Sequence, residues 1–207
     1  MMTSKIPSLC AWACALTLAV GCRSLDLREP ETPLWPEVVE AELGTMLNSH
    51  QCGLFWFGGR PSQADLDLAN RRGIKTIVNA ATPSECVEFD LASVCNGFEL
   101  GIVDLTIPDE GIRDEDVDFF LEQIDGAPDG DVLLFCGNGS RAAMLFAIYR
   151  ATRVGVPVDE AIMEARRAGM KPGDPEQFVR QQVVRLGQAP CPVAMAAPVE
   201  ASSRRRR

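Results

Sequence analysis

The sequence predicts an α/β domain with a mainly parallel central sheet flanked by helices. Three observations predict it. Short apolar or β-branched runs, at 74–78 and 131–135 above all, alternate with segments of helical period. The stretch 133–149 passes from an apolar strand through a Gly-rich turn into an apolar helix. The composition, 46% hydrophobic and 24% charged in 207 residues, supplies a full core without the bias of a disordered chain.

The elements follow in chain order. Residues 9–20 form an apolar run of 12 behind Lys5, broken only by Thr17. A helix of that length rises about 18 Å, short of a hydrocarbon core of roughly 30 Å, so residues 1–21 read as a signal segment. The run ends in Leu18-Ala19-Val20-Gly21-Cys22, which resembles a bacterial lipobox. The resemblance implies lipidation of Cys22 after cleavage, and hence a membrane partner through an N-terminal lipid. Arg23 follows, not Asp, so the expected place is the cell envelope on the periplasmic side, with the outer membrane open to it. Residues 22–37, with Pro30, Pro33 and Pro36, read as a tether.

A domain is expected over 38–187. Its first helix is expected at 38–48, then a short strand at 54–57. Ser62 is the N-cap of a helix that Gly73 stops. A strand follows at 74–78, a weak helix at 83–95 and a strand within 98–107. The helix at 114–124 has acidic residues in its first turn, which favours the helix dipole. A buried strand at 131–135 and helices at 141–153, 159–168 and 177–186 complete the domain. Residues 188–207, rich in Ala and Pro and ending in four arginines, read as a disordered tail.

Charge and rare residues narrow the function. Asp+Glu is 29 against Lys+Arg 20, a net charge of -9, which excludes ordinary nucleic-acid binding. There is one histidine, His50, and no Cys-x-x-Cys pattern, so no metal site is expected. The chemistry concentrates at 136–141, Cys-Gly-Asn-Gly-Ser-Arg. The successive backbone N–H groups of Gly137, Asn138, Gly139 and Ser140 can converge into an anion nest at a helix N-terminus. Arg141 can hold two oxygens of a tetrahedral oxyanion. The same field favours the thiolate of Cys136, which makes it a nucleophile.

The segment resembles the active-site loop of cysteine-dependent tyrosine and dual-specificity phosphatases. It is most similar to the bacterial phosphatase-like domain of beta-lactamase hydrolase-like proteins, whose loops read Cys-x-x-Gly-x-Arg. Gly59-Arg60-Pro61-Ser62, the stretch 73–79 and the stretch 156–169 extend the resemblance over about residues 53–170. It implies a tyrosine-phosphatase-like fold, phosphate-monoester hydrolysis through a cysteinyl-phosphate, a phosphorylated partner and no cofactor. Cys136 would attack, and residues 137–141 would bind the phosphoryl group.

Three features depart from the common phosphatase pattern. Phe135 stands where His usually precedes the Cys. Four residues rather than five separate Cys136 from Arg141. Ala142 replaces the Ser or Thr that often follows the Arg. The resemblance also requires a general acid on a separate loop. Asp109, in Ile107-Pro108-Asp109-Glu110-Gly111, is the first choice, with Glu110 or Asp104 as substitutes. The four-residue spacing is also that of rhodanese sulfurtransferases, which carry a persulfide on such a Cys. A lipid-anchored module that binds an anion without turnover is the third reading.

The remaining cysteines divide by position. Cys10 and Cys14 leave with the signal segment. Cys52, Cys86, Cys95 and Cys191 are expected as disulfide partners or core residues. Pairs Cys86–Cys95 and Cys52–Cys191 are one of three connectivities, and spacing leaves the choice open.

Overall fold

The apolar run at 131–135 takes an inner position in a six-stranded sheet. The computed structural model describes residues 35–85, 87–105, 107–127 and 131–189. The expected signal segment, Cys22, most of the expected tether, Cys86, Cys191 and all but the first two residues of the expected tail lie outside the described residues. The strands are β1 (Val39–Glu40), β2 (His50–Cys52), β3 (Phe55–Gly58), β4 (Ile74–Asn79), β5 (Gly101–Asp104) and β6 (Asp131–Phe135). Their order is β1-β2-β3-β6-β4-β5. Strands β3, β6, β4 and β5 pair in parallel, while β1 and β2 add an antiparallel margin.

The helices are α1 (Gln63–Arg71), α2 (Leu91–Gly97), α3 (Asp114–Asp125), α4 (Ser140–Tyr149), α5 (Val158–Arg167) and α6 (Asp174–Leu186). Side chains on a strand alternate between faces, and the core divides accordingly. Trp56, Ile77, Leu133 and Phe135 pack with Leu66 of α1 and Leu91 of α2. Phe57, Val78 and Leu134 pack with Phe120 of α3, most of α4, Ile162 of α5 and Val179 of α6. The Phe57 and Phe146 rings stack at 4.3 Å. Truncating either ring to Ala in such a core costs about 3–5 kcal/mol. Because inner strands are buried on both faces, β6 reads as a continuous apolar run rather than an alternation.

Helix α1 begins where Ser62 predicts. The Ser62 hydroxyl accepts from Asp65 N–H, and Asp65 accepts from Ser62 N–H. Helix α4 runs on into one wide π turn at Arg150–Val154. Arg150 is buried there and makes a two-pronged ion pair with Glu164 of α5, at 2.7 and 2.9 Å. Removing one partner would leave an unpaired buried charge.

The expected helix at 38–48 is not formed. Val39 and Glu40 instead pair with Gln51 and His50. Gly44 sits at φ +62, and Thr45 donates its N–H and hydroxyl to Asp65, both at 2.8 Å. Tertiary partners thus take the groups a local helix would have used. Strand β2, which the sequence did not announce, completes this margin. The weak helix at 83–95 resolves into a 3-10 turn at Pro83–Glu85 and α2.

Candidate active site

Cys136 lies at the C-terminal end of β6, between strands β3 and β4. Its N–H donates to Gly58 O at 3.2 Å, which fixes the end of the strand. Cys136 is 1% exposed. The chain then turns through 137–139 and enters α4, with Gly139 as N-cap at φ +93. That left-handed conformation is open to glycine and strained for other residues. Gly139 N–H donates to Cys136 Sγ at 3.2 Å.

Gly137 is required for a different reason. A Cβ there would lie 2.6 Å from the carboxylate of Glu85. Glu85 is the functional neighbour that the sequence reading missed. Its Oε2 accepts from Arg141 Nη1 at 2.7 Å and from Thr82 N–H at 3.2 Å. Burial works against its ionisation, but the hydrogen bonds from Arg141, Thr82 and Gly137 outweigh it and hold the carboxyl below its ordinary range. Arg141 Nη1 also donates to Ala80 O at 3.0 Å. Among the described residues nothing takes the Nε and Nη2 groups of Arg141, so that edge is available to an oxyanion. The signal for Glu85 was faint: an acidic residue in a short turn after a strand, 56 positions before Arg141.

The other loop residues are tied down one by one. Asn138 Oδ1 accepts Ser140 N–H at 3.1 Å, and Ser140 Oγ accepts Lys171 N–H at 3.1 Å. Arg60 N–H donates to Gly137 O at 3.4 Å. A cleft of about 230 Å³ opens over this loop, lined by Glu85, Asn138, Ser140, Arg141, Met144 and Lys171 among others.

Asp109 is drawn to the same turn. Its carboxylate accepts from Ser84 Oγ at 2.7 Å, next to Glu85 in the chain. Bonds from Ser84 and Thr82, chiefly, hold the Asp109 carboxyl below its ordinary range. Asp104 at the end of β5 faces Asn79 Nδ2 at 3.5 Å, and Glu110 is exposed in the turn after Asp109. His50 stands on β2, stacked on Phe57 at 5.7 Å, with Nδ1 against Asn48 O at 3.0 Å. Cys52 and Cys95 are buried free thiols, the core alternative of the two the sequence left open, while Cys86 and Cys191 lie outside the described residues. Burial pushes the Cys95 thiol up to about 11, as expected of a core residue. Among the described residues no group of three or more His, Cys, Asp or Glu is placed to hold a metal ion.

No family model and no curated protein sequence matches the chain. Solved structures do. The DUF442 protein of Shewanella putrefaciens CN-32 superposes with a TM-score of 0.60 at 16% identity, over 70% of this chain and 96% of that one. P. aeruginosa TpbA, in complex with pTyr, gives a TM-score of 0.57 at 18% identity, over 77% and 99%. The chain has the fold of cysteine-dependent tyrosine phosphatases. The core catalytic domain of the PP-IP phosphatase SIW14 from S. cerevisiae, in complex with citrate, gives 0.56 at 16% identity, over 67% and 87%. The expected mainly parallel sheet flanked by helices is therefore the architecture found, with β1 and β2 as its antiparallel margin.

Proposed function

We propose that the chain is a cysteine-dependent phosphatase that hydrolyses phosphate monoesters through a cysteinyl-phosphate. One observation carries the reading. A thiol at the end of an inner strand receives a backbone N–H at 3.2 Å, and an Arg stands in the first turn of the helix that follows. That is a nucleophile and an oxyanion cradle in one short segment.

In this reading Cys136 Sγ attacks phosphorus and the ester P–O bond breaks. Arg141 and the amides of 137–141 hold the non-bridging oxygens. Asp109 gives a proton to the leaving oxygen, and water then cleaves the S–P bond. Asp109 acts as an acid only when its bond from Ser84 is relaxed, since that bond favours the carboxylate. A phosphorylated partner is in keeping with the pTyr bound by TpbA. The reading includes an N-terminal lipid on Cys22 and an envelope location, which the sequence pattern supports.

Parallel assays of the purified protein and Cys136→Ser test the reaction. One contains an aryl phosphate, the other thiosulfate with cyanide. Phosphate release that depends on Cys136 is the expected result. Thiocyanate formation would assign a sulfurtransferase instead. Phosphate binding with neither activity would leave an anion-binding module. Labelling with a palmitate analogue, lost in Cys22→Ala, tests the anchor.

A further inference from the structure

The loop at 137–139 holds two glycines and makes few bonds within itself, so its conformation must be set from outside. Asn48 meets it from the segment before β2. The Asn48 backbone is at φ +50, in the left-handed region where Asn is tolerated better than most residues. Its Nδ2 donates to Asn138 O at 2.8 Å, across 90 positions of chain. A Cβ on Gly139 would lie 3.2 Å from Asn48 Cβ. A Cβ on Gly169, in the turn that ends α5, would lie 3.3 Å from Asn48 Cγ and Nδ2. The Asn48 carbonyl is itself met by His50 Nδ1 at 3.0 Å.

The orientation of one peptide unit follows from these contacts. In a trans peptide the C=O of residue 138 and the N–H of residue 139 point in opposite directions. Asn48 takes the carbonyl on one side. The Gly139 N–H is thereby aimed to the other side, where Cys136 Sγ lies at 3.2 Å. A flipped peptide would turn a carbonyl oxygen toward the sulfur and any bound anion. The same Asn48 side chain abuts the Gly169 turn. That turn carries Lys171, whose N–H holds Ser140 Oγ at 3.1 Å. Asn48 therefore touches both segments that fix the start of α4.

We propose that Asn48 is a positioning residue: it orients the 138–139 peptide so that its N–H faces Cys136 Sγ and the anion site. The consequence for phosphate rests on the phosphate-monoester reading. The orientation itself does not.

The test uses the full chain with Asn48→Gly, which keeps the positive φ, and Asn48→Asp, which keeps the shape but cannot donate. Amide hydrogen exchange is followed by mass spectrometry, beside competitive inhibition by inorganic phosphate. Both variants are expected to exchange faster at 137–141 alone, with β6 and the body of α4 unchanged. Inorganic phosphate is expected to inhibit roughly three- to tenfold more weakly, the range for losing one modest hydrogen bond. Wild-type exchange at 137–141 in both variants would overturn the proposal. So would faster exchange spread evenly through the domain, which is the mark of a purely structural role. If the wild-type protein neither turns over aryl phosphate nor binds phosphate, the phosphatase reading falls, and the exchange pattern still decides the role of Asn48.

Discussion

The loop at 136–141 and the loop at 107–111 face the same turn, yet they are built differently. In the first, residues from 58–60, Ala80, Glu85 and Lys171 each hold a named atom. In the second, the exposed Asp109 is held chiefly through Ser84 and its neighbour Thr82. Binding an oxyanion requires several donors to be fixed before the ligand arrives. Donating a proton requires only that one carboxyl change its state on time. The difference teaches that a substitution in the first loop acts through geometry, and one in the second through protonation.

The largest effect expected is that of Cys136→Ser. It should lower aryl-phosphate hydrolysis about 10⁶-fold, on the scale seen when a nucleophile is removed, with little change in Tm. Near-normal turnover in that variant would break the whole comparison. Gly137→Ala should come next. The new methyl collides with the Glu85 carboxylate, and overpacking of this kind costs about 1–3 kcal/mol. A thermal melt should show the loss, and the same Gly137→Ala change should cost much less in a Glu85→Ala background. If it costs as much there, the collision is not the cause.

Glu85→Gln should act more mildly and with a characteristic pH dependence. The folded state holds this carboxyl below its ordinary value, so its stabilising effect is present above the unfolded pKa of about 4.5. That effect fades as the pH falls through the lower, folded value. Wild type should melt higher than Glu85→Gln at neutral pH, and the gap should close in acid. KM for the aryl phosphate should rise roughly tenfold as Arg141 loses its partner.

Asp109→Asn should have the smallest effect with a good leaving group, within about tenfold, and a larger one with an alkyl phosphate. Ser84→Ala removes a bond that favours the carboxylate, so the Asp109 acid limb should move to higher pH. An unmoved pH–rate profile in both variants would exclude Asp109 as the acid and direct attention to Asp104 or Glu110.

Much of the fold was legible because local signals agreed with the tertiary outcome. The run at 131–135, the Ser62 cap and the Gly-x-Gly turn each announce one structure and find it. Residues 38–48 show the opposite case. Their pattern suited a helix, but Asp65 captures Thr45 and the chain pairs with β2. Those partners lie too far along the chain for periodicity to reveal. The site divides in the same way. Cys136 and Arg141 are neighbours in sequence, and the loop between them has a recognisable composition. Glu85 and Asn48 reach it from distant segments through one side chain each, and an isolated Glu or Asn carries no local signature.

The absent side chain at Gly137 has a consequence for how such a sequence can drift. The space a methyl would take is already filled by Glu85, so the two positions are exclusive. A larger residue at 137 is admissible only if 85 shrinks, and Arg141 then needs another anion. Three positions spread over 57 residues therefore vary as one unit. Any chain of this shape that has lost the glycine should also have lost the glutamate.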